Sequence, residues 1–132
     1  MIKSLTVSMA MLALVAPALA QDGIRIVAVQ FARGASSAAM KGSIKGDEAV
    51  DYTVRVRAGQ TLTVRLTTGN RSGYFNVTAP GADVAIFNGS ISGKRFSVTI
   101  PSTGTYVVRV YLMRNAARRN DTANYTLNVA IL

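Results

Sequence analysis

From Asp51 onward, apolar and polar side chains alternate along the chain. Tyr52, Val54 and Val56 fall on one face of an extended segment, and Asp51, Thr53, Arg55 and Arg57 fall on the other. Ala58-Gly59-Gln60 interrupts the pattern, and Leu62, Val64 and Leu66 resume it against Thr61, Thr63, Arg65 and Thr67. A period of two marks a half-buried strand, because successive side chains leave opposite faces of a pleated backbone. Two such runs joined by a short Gly-containing turn predict a β-hairpin. The alternation returns at Phe96, Val98 and Ile100, at Tyr106, Val108, Val110 and Leu112, and at Tyr125, Leu127, Val129 and Ile131.

Residues that reverse a chain lie between these runs: Lys45-Gly46-Asp47-Glu48, the stretch from Thr68 to Gly73, Ala79 to Asp83, Asn88-Gly89-Ser90, and Pro101-Ser102-Thr103-Gly104. Gly and Asn tolerate the left-handed backbone such turns need, and Pro fixes φ. With further extended segments at 24–31, 39–44, 75–78 and 84–87, the pattern predicts an all-β chain, a single antiparallel β-sandwich of eight or nine short strands. One segment departs from it. Arg114-Asn115-Ala116-Ala117-Arg118-Arg119-Asn120-Asp121 has no alternation and reads as a long basic loop with room for one helical turn.

The first twenty residues do not fit a strand pattern. A positive start (Met1-Ile2-Lys3) is followed by an apolar run from Met9 to Ala16 and then by Pro17-Ala18-Leu19-Ala20, with small residues at −3 and −1 from Gln21. This is the three-part layout of a secretory signal peptide, and the apolar run is too short to span a bilayer. The expected organisation is therefore a signal peptide at 1–20 and one β-sandwich domain at 21–132, periplasmic or secreted after cleavage near Ala20-Gln21.

Composition removes several chemistries. The 132 residues include no His, Cys or Trp, and 15 Lys plus Arg stand against 6 Asp plus Glu. Without Cys there is no disulfide framework or thiol nucleophile; without His there is no Ser-His-Asp triad or imidazole zinc site. No Ser-x-x-Lys, Walker loop or Gly-x-Ser-x-Gly is present. Asp47, Glu48 and Asp51 do not match an EF-hand loop and read as a solvated turn. The expectation is a protein that is not an enzyme, with no catalytic residue, metal site or cofactor. Loss of Lys3 with the leader leaves a charge of 14 − 6 = +8 on the mature chain.

Gly46 to Val54 followed by Ala58 to Val64, then Gly104-Thr105-Tyr106-Val107-Val108-Arg109-Val110 and Tyr125-Thr126-Leu127-Asn128-Val129, resembles the bacterial pre-peptidase C-terminal type of β-sandwich. A narrower match rests on Phe31-Ala32-Arg33-Gly34-Ala35-Ser36-Ser37 and on the Arg114–Asn120 segment. These are similar to the periplasmic inhibitors of goose-type lysozyme, over about Phe31 to Ile131. That resemblance implies goose-type lysozyme as the partner, its substrate cleft being plugged by a loop face. A Ser-Gly-x-Tyr turn, here Thr103-Gly104-Thr105-Tyr106 with Thr for Ser, and the Arg-rich loop, with Ala116 at its third position, would form the face. The partner-binding candidates are thus Arg114, Asn115, Arg118, Arg119, Thr103, Gly104 and Tyr106.

Each candidate also has a plainer reading. The basic loop can be a solvated connection in which Asn115 and Asn120 close turns, and Tyr106 is in phase with Val108 and Val110, which makes it core-facing. Arg55, Arg57 and Arg65 are expected to point outward on adjacent strands, where like charges are mildly unfavourable. They serve solubility or face an anionic partner, unless Asp51 offsets them. An alternative function follows from the charge: a basic module binding periplasmic polyanions, cell-wall glycan or nucleic acid. An accessory carbohydrate-binding domain is a third reading, weakened by the absence of Trp.

Overall fold

A computed structural model describes residues 20, 21 and 23–132. The segment expected as a leader therefore lies, Ala20 apart, outside the described residues. The strands are β1 (Ala20–Gln21), β2 (Ile24–Ala28), β3 (Ser37–Lys45), β4 (Ala49–Val56), β5 (Thr61–Thr68), β6 (Gly73–Thr78), β7 (Ala85–Asn88), β8 (Arg95–Thr99), β9 (Gly104–Leu112) and β10 (Thr122–Ile131). Two short helices, α1 (Gly89–Ser92) and α2 (Arg114–Arg118), precede β8 and β10. Nine strands of four residues or more, with the two-residue β1 at the expected cleavage point, make a sandwich as the alternation predicts.

The six-stranded sheet runs β1-β2-β4-β9-β6-β7 and the four-stranded sheet β3-β10-β5-β8. The inner positions of the sequence pattern are those that are buried: Tyr52, Val54, Val56, Leu62, Val64, Leu66, Tyr106, Val108, Val110 and Leu127 are all at most 4% exposed. Phe75, Phe87 and Phe96 join the two sheets through a stack and an edge-to-face contact, with centroids 5.1 and 5.3 Å apart. Val98 departs from expectation. It lies on the edge strand β8 and stays 40% exposed.

Two expectations about pairing are corrected. β4 and β5 do not form a hairpin: they belong to different sheets, and Arg57–Gln60 is an arch between them. The arch is closed by Gln60 N–H donating to Arg57 O (3.0 Å) and by the Gln60 side chain accepting from Arg57 N–H (2.8 Å). It is tied to the neighbouring turn by Gly59 N–H to Ile100 O at 2.8 Å. Nor is the sandwich wholly antiparallel, since β2 pairs parallel to β4 from Ile24↔Ala49 to Ala28↔Thr53. The chain leaves β2, crosses to β3 in the other sheet and crosses back, and two reversals return it in its starting direction.

Every connection reverses the chain, so successive connections lie at opposite ends of the sandwich. One end gathers residues 46–48, 69–72 and α2; the other gathers 29–36, 57–60, 79–84 and 100–103.

Candidate partner-binding site

The Arg-rich segment is a fixed turn of helix. Ala and Arg favour helix, but five residues are too few to hold one alone, and tertiary contacts supply the rest. Ala116 is fully buried in the core. Ala117 N–H donates to Met113 O at 2.9 Å. At the C-terminal end Asn120 N–H donates to Ala117 O, and Asp121 N–H reaches back to Ala116 O, both at 3.0 Å. Asn120 itself has φ of 58°. This pair of bonds closing on a left-handed residue is a Schellman motif, and Asn is a tolerated residue there after Gly. Gly46 N–H donates to Asp121 O at 2.9 Å, and a Cβ on Gly46 would meet Asn120 Oδ1 at 2.6 Å. The helix is thereby locked to the turn between β3 and β4.

This closure divides the polar residues of the segment into two kinds. Asn115 Oδ1 accepts the Ala116 N–H at 2.8 Å, and Arg119 pairs with Asp121 at 2.8 Å, so both serve the segment itself. Arg114 and Arg118 are exposed, and the ion pairs among the described residues do not include them. They line one side of an open groove of about 590 Å³, with Asp47, Glu48, Tyr111 and Leu112 also on its walls. Glu48 is itself anchored, accepting the Lys45 N–H at 2.9 Å.

The turn that was expected beside this segment is elsewhere. Gly104 starts β9, with Thr103 just before it, and α2 follows its end, so the length of one nine-residue strand, roughly 25–30 Å at about 3.3 Å per residue, separates them. Thr103 Oγ1 accepts the Ala58 N–H at 2.9 Å and so clamps the β4–β5 arch. Gly104 lies so close to Pro80 that a Cβ would meet its ring at 2.6 Å. Tyr106 is 1% exposed, and its hydroxyl donates to Ser102 O at 2.8 Å, four residues upstream. These three residues knit the far end together, and a single loop face does not include both groups. Phe31 and Ser36 lie at that far end too, on a groove of about 450 Å³ shared with Arg55, Arg57 and Gln60.

The expected Arg55, Arg57 and Arg65 cluster is likewise divided. Arg55 is on β4 with Arg57 just beyond it, while Arg65 is on β5 and faces outward from the opposite sheet, where it stands across from Arg95. Asp51 is engaged elsewhere, by two parallel hydrogen bonds from Arg109 at 2.6 and 2.9 Å. That bond holds the Arg109 guanidinium above its ordinary pKa. A cation missed by sequence reasoning, exposed Arg71, sits at the α2 end in the turn between β5 and β6. Counting reversals along the strands would have placed it there.

The fold and sequence match known proteins. The bacterial pre-peptidase C-terminal domain model matches residues 48–112. An inhibitor of g-type (goose-type) lysozyme from Escherichia coli strain K12 is 32% identical over 108 residues, covering 80% of each chain. The crystal structure of Aeromonas hydrophila PliG, a periplasmic inhibitor of g-type lysozyme, superposes with a TM-score of 0.75 at 40% identity, over 83% of this chain and 97% of that one. The corresponding inhibitor of Salmonella Typhimurium gives a TM-score of 0.64 at 29% identity, over 81% and 97%.

Proposed function

We infer that this chain, which belongs to the family of periplasmic inhibitors of g-type lysozyme, is exported and blocks such a lysozyme by occupying its substrate cleft. The observation that carries the reading is 40% identity extending over 97% of the Aeromonas inhibitor, on the same fold. The protein is a binding protein without catalysis of its own, released from its leader at Ala20-Gln21.

The surface that enters the cleft is the α2 end, with Arg114 and Arg118 as anchors and Arg71 on the β5–β6 turn of the same end. A lysozyme cleft holds a carboxylic acid that protonates the glycosidic oxygen. A guanidinium forms a charge-assisted, often bidentate bond to a carboxylate, and so would occupy that acid while the surrounding turns exclude the glycan. Two features support Arg118 and Arg114 in this role. Both are exposed without an intramolecular ion pair among the described residues, and both sit on a segment whose backbone is already fixed, so little ordering remains to be done on binding.

The test is a turbidity assay of cell-wall lysis by a g-type lysozyme, with a hen-type enzyme alongside. Stoichiometric, selective inhibition by the purified protein is expected. No inhibition of the g-type enzyme at excess protein would overturn the reading.

A further inference from the structure

The outer face of the four-stranded sheet has an unusual composition. Every outward position on β3, β10, β5 and β8 is Ser, Thr, Asn or Ala, except Lys41, Lys45, Arg65 and Arg95. These four cations are exposed. The face has no carboxylate and no aromatic ring. The carboxylates of the described residues lie at the α2 end (Asp47, Glu48, Asp121), on the other sheet (Asp51) or in the β6–β7 connection (Asp83). Arg65 and Arg95 are directly opposed across β5 and β8, with Asn128 on the other side of Arg65. Like charges so placed repel one another, and an anion between them relieves that repulsion. Beside them the hydroxyls are ordered in cross-strand pairs, Thr63 with Ser97 at 2.9 Å and Thr61 with Thr99 at 3.3 Å.

We propose that this face docks the carboxylate-bearing glycan of the bacterial cell wall. Charge complementarity gives the sign of the partner, and the flat rows of hydroxyl and amide groups give its kind. Single-stranded nucleic acid is held by a basic groove together with aromatic rings on which its bases stack; this face offers no rings, whereas sugar hydroxyls exchange hydrogen bonds with the Ser, Thr and Asn it does offer. The face lies along the side of the sandwich and α2 lies at its end, so wall and enzyme can be held together. The choice of wall glycan rests on the inhibitor reading, since the wall is where a lysozyme works.

The experiment is co-sedimentation of the purified protein with insoluble peptidoglycan at low and high salt. Binding is expected, weakened by salt, and lowered about tenfold in the Arg65→Ala/Arg95→Ala double variant, as loss of charge-assisted contacts implies. Arg55→Ala/Arg57→Ala removes the same charge from elsewhere and should bind as wild type. Equal loss in the two doubles, no sedimentation of wild type, or release of the wall by a single-stranded oligonucleotide but not by a carboxylated polysaccharide of equal charge would each overturn the proposal. Lysozyme inhibition is measured on the same samples. Wall binding without inhibition would strike the inhibitor reading and leave this one standing, while inhibition without wall binding would do the reverse.

Discussion

Tyr52 of the six-stranded sheet and Tyr125 of the four-stranded sheet meet hydroxyl to hydroxyl at 2.7 Å inside the core. Their rings are edge to face with centroids 6.5 Å apart. One hydroxyl donates to the other, and Gly42 leaves the room Tyr125 needs, since a Cβ there would collide with its phenol oxygen. Removing one hydroxyl leaves its partner buried and unpaired, at a cost of about 1–3 kcal/mol, whereas removing both costs less than the two singles summed. Urea unfolding of Tyr52→Phe, Tyr125→Phe and the double variant should show that shortfall. Additive losses would mean that the hydroxyls do not depend on each other.

The same pair sets an alkaline limit. Burial pushes both phenols above the ordinary tyrosine value, and Tyr125 is raised further by its bond to Tyr52. Because the folded-state pKa values are raised, the pair's contribution is fully present below the unfolded value of about 10. It is lost as pH climbs from there towards the folded values, since the unfolded chain releases protons that the folded chain retains. Denaturant midpoints measured from neutral pH to beyond 10 should fall more steeply for wild type than for the double Phe variant. Parallel curves would contradict this origin.

The two ends of β9 make separable predictions. Arg118→Ala should weaken lysozyme inhibition by roughly 30-fold or more, the effect of losing an interface anchor worth about 2 kcal/mol, and Arg114→Ala by less. Thr103→Ala frees the Ala58 N–H and should cost about 1 kcal/mol of stability without changing the inhibition constant. If Thr103→Ala abolished inhibition and Arg118→Ala did not, the interface would be at the opposite end.

Asn120 carries the closure of α2. Asn120→Gly keeps the left-handed turn open to the backbone and should change stability by only a few tenths of a kcal/mol. Asn120→Val places a β-branched residue at φ of 58° and should cost about 1–3 kcal/mol. A thermal melt of the two variants distinguishes them, and equal melting points would show that the turn is not constrained.

The Asp51–Arg109 pair is bidentate and half-sheltered, the Arg109 side chain being 47% exposed and the Asp51 side chain 14%. Asp51→Asn keeps the shape but removes the charge, and should lower stability by about 1–2 kcal/mol in urea unfolding, less in high salt; an unchanged midpoint would show that the pair contributes nothing.

Alternation reveals which side chains are inward, because burial itself creates it, and so Tyr52, Val54, Leu62, Val64 and their successors could be read directly. It is silent on which strand lies beside which. Val56 and Leu62 show the same pattern whether the chain folds back as a hairpin or arches into the facing sheet, and for that reason Arg65 was expected beside Arg55. Thr103 and Arg118 were joined by resemblance, although one strand between them places them at opposite ends. The helical turn at Ala116 and Ala117 was partly legible from composition. Its lock on Gly46 was not, because that bond joins Asp121 to a turn more than seventy residues earlier in the chain.

The chain changes sheet at every connection except β1–β2 and β6–β7. Most strand pairs therefore join segments distant in the chain, and local hairpins are few. A fold so dominated by non-local pairing belongs among domains that fold in milliseconds to seconds. By the same token, α2 is strung between β9 and β10, each an interior strand of its own sheet, so Arg114 and Arg118 are carried on a segment anchored in both layers.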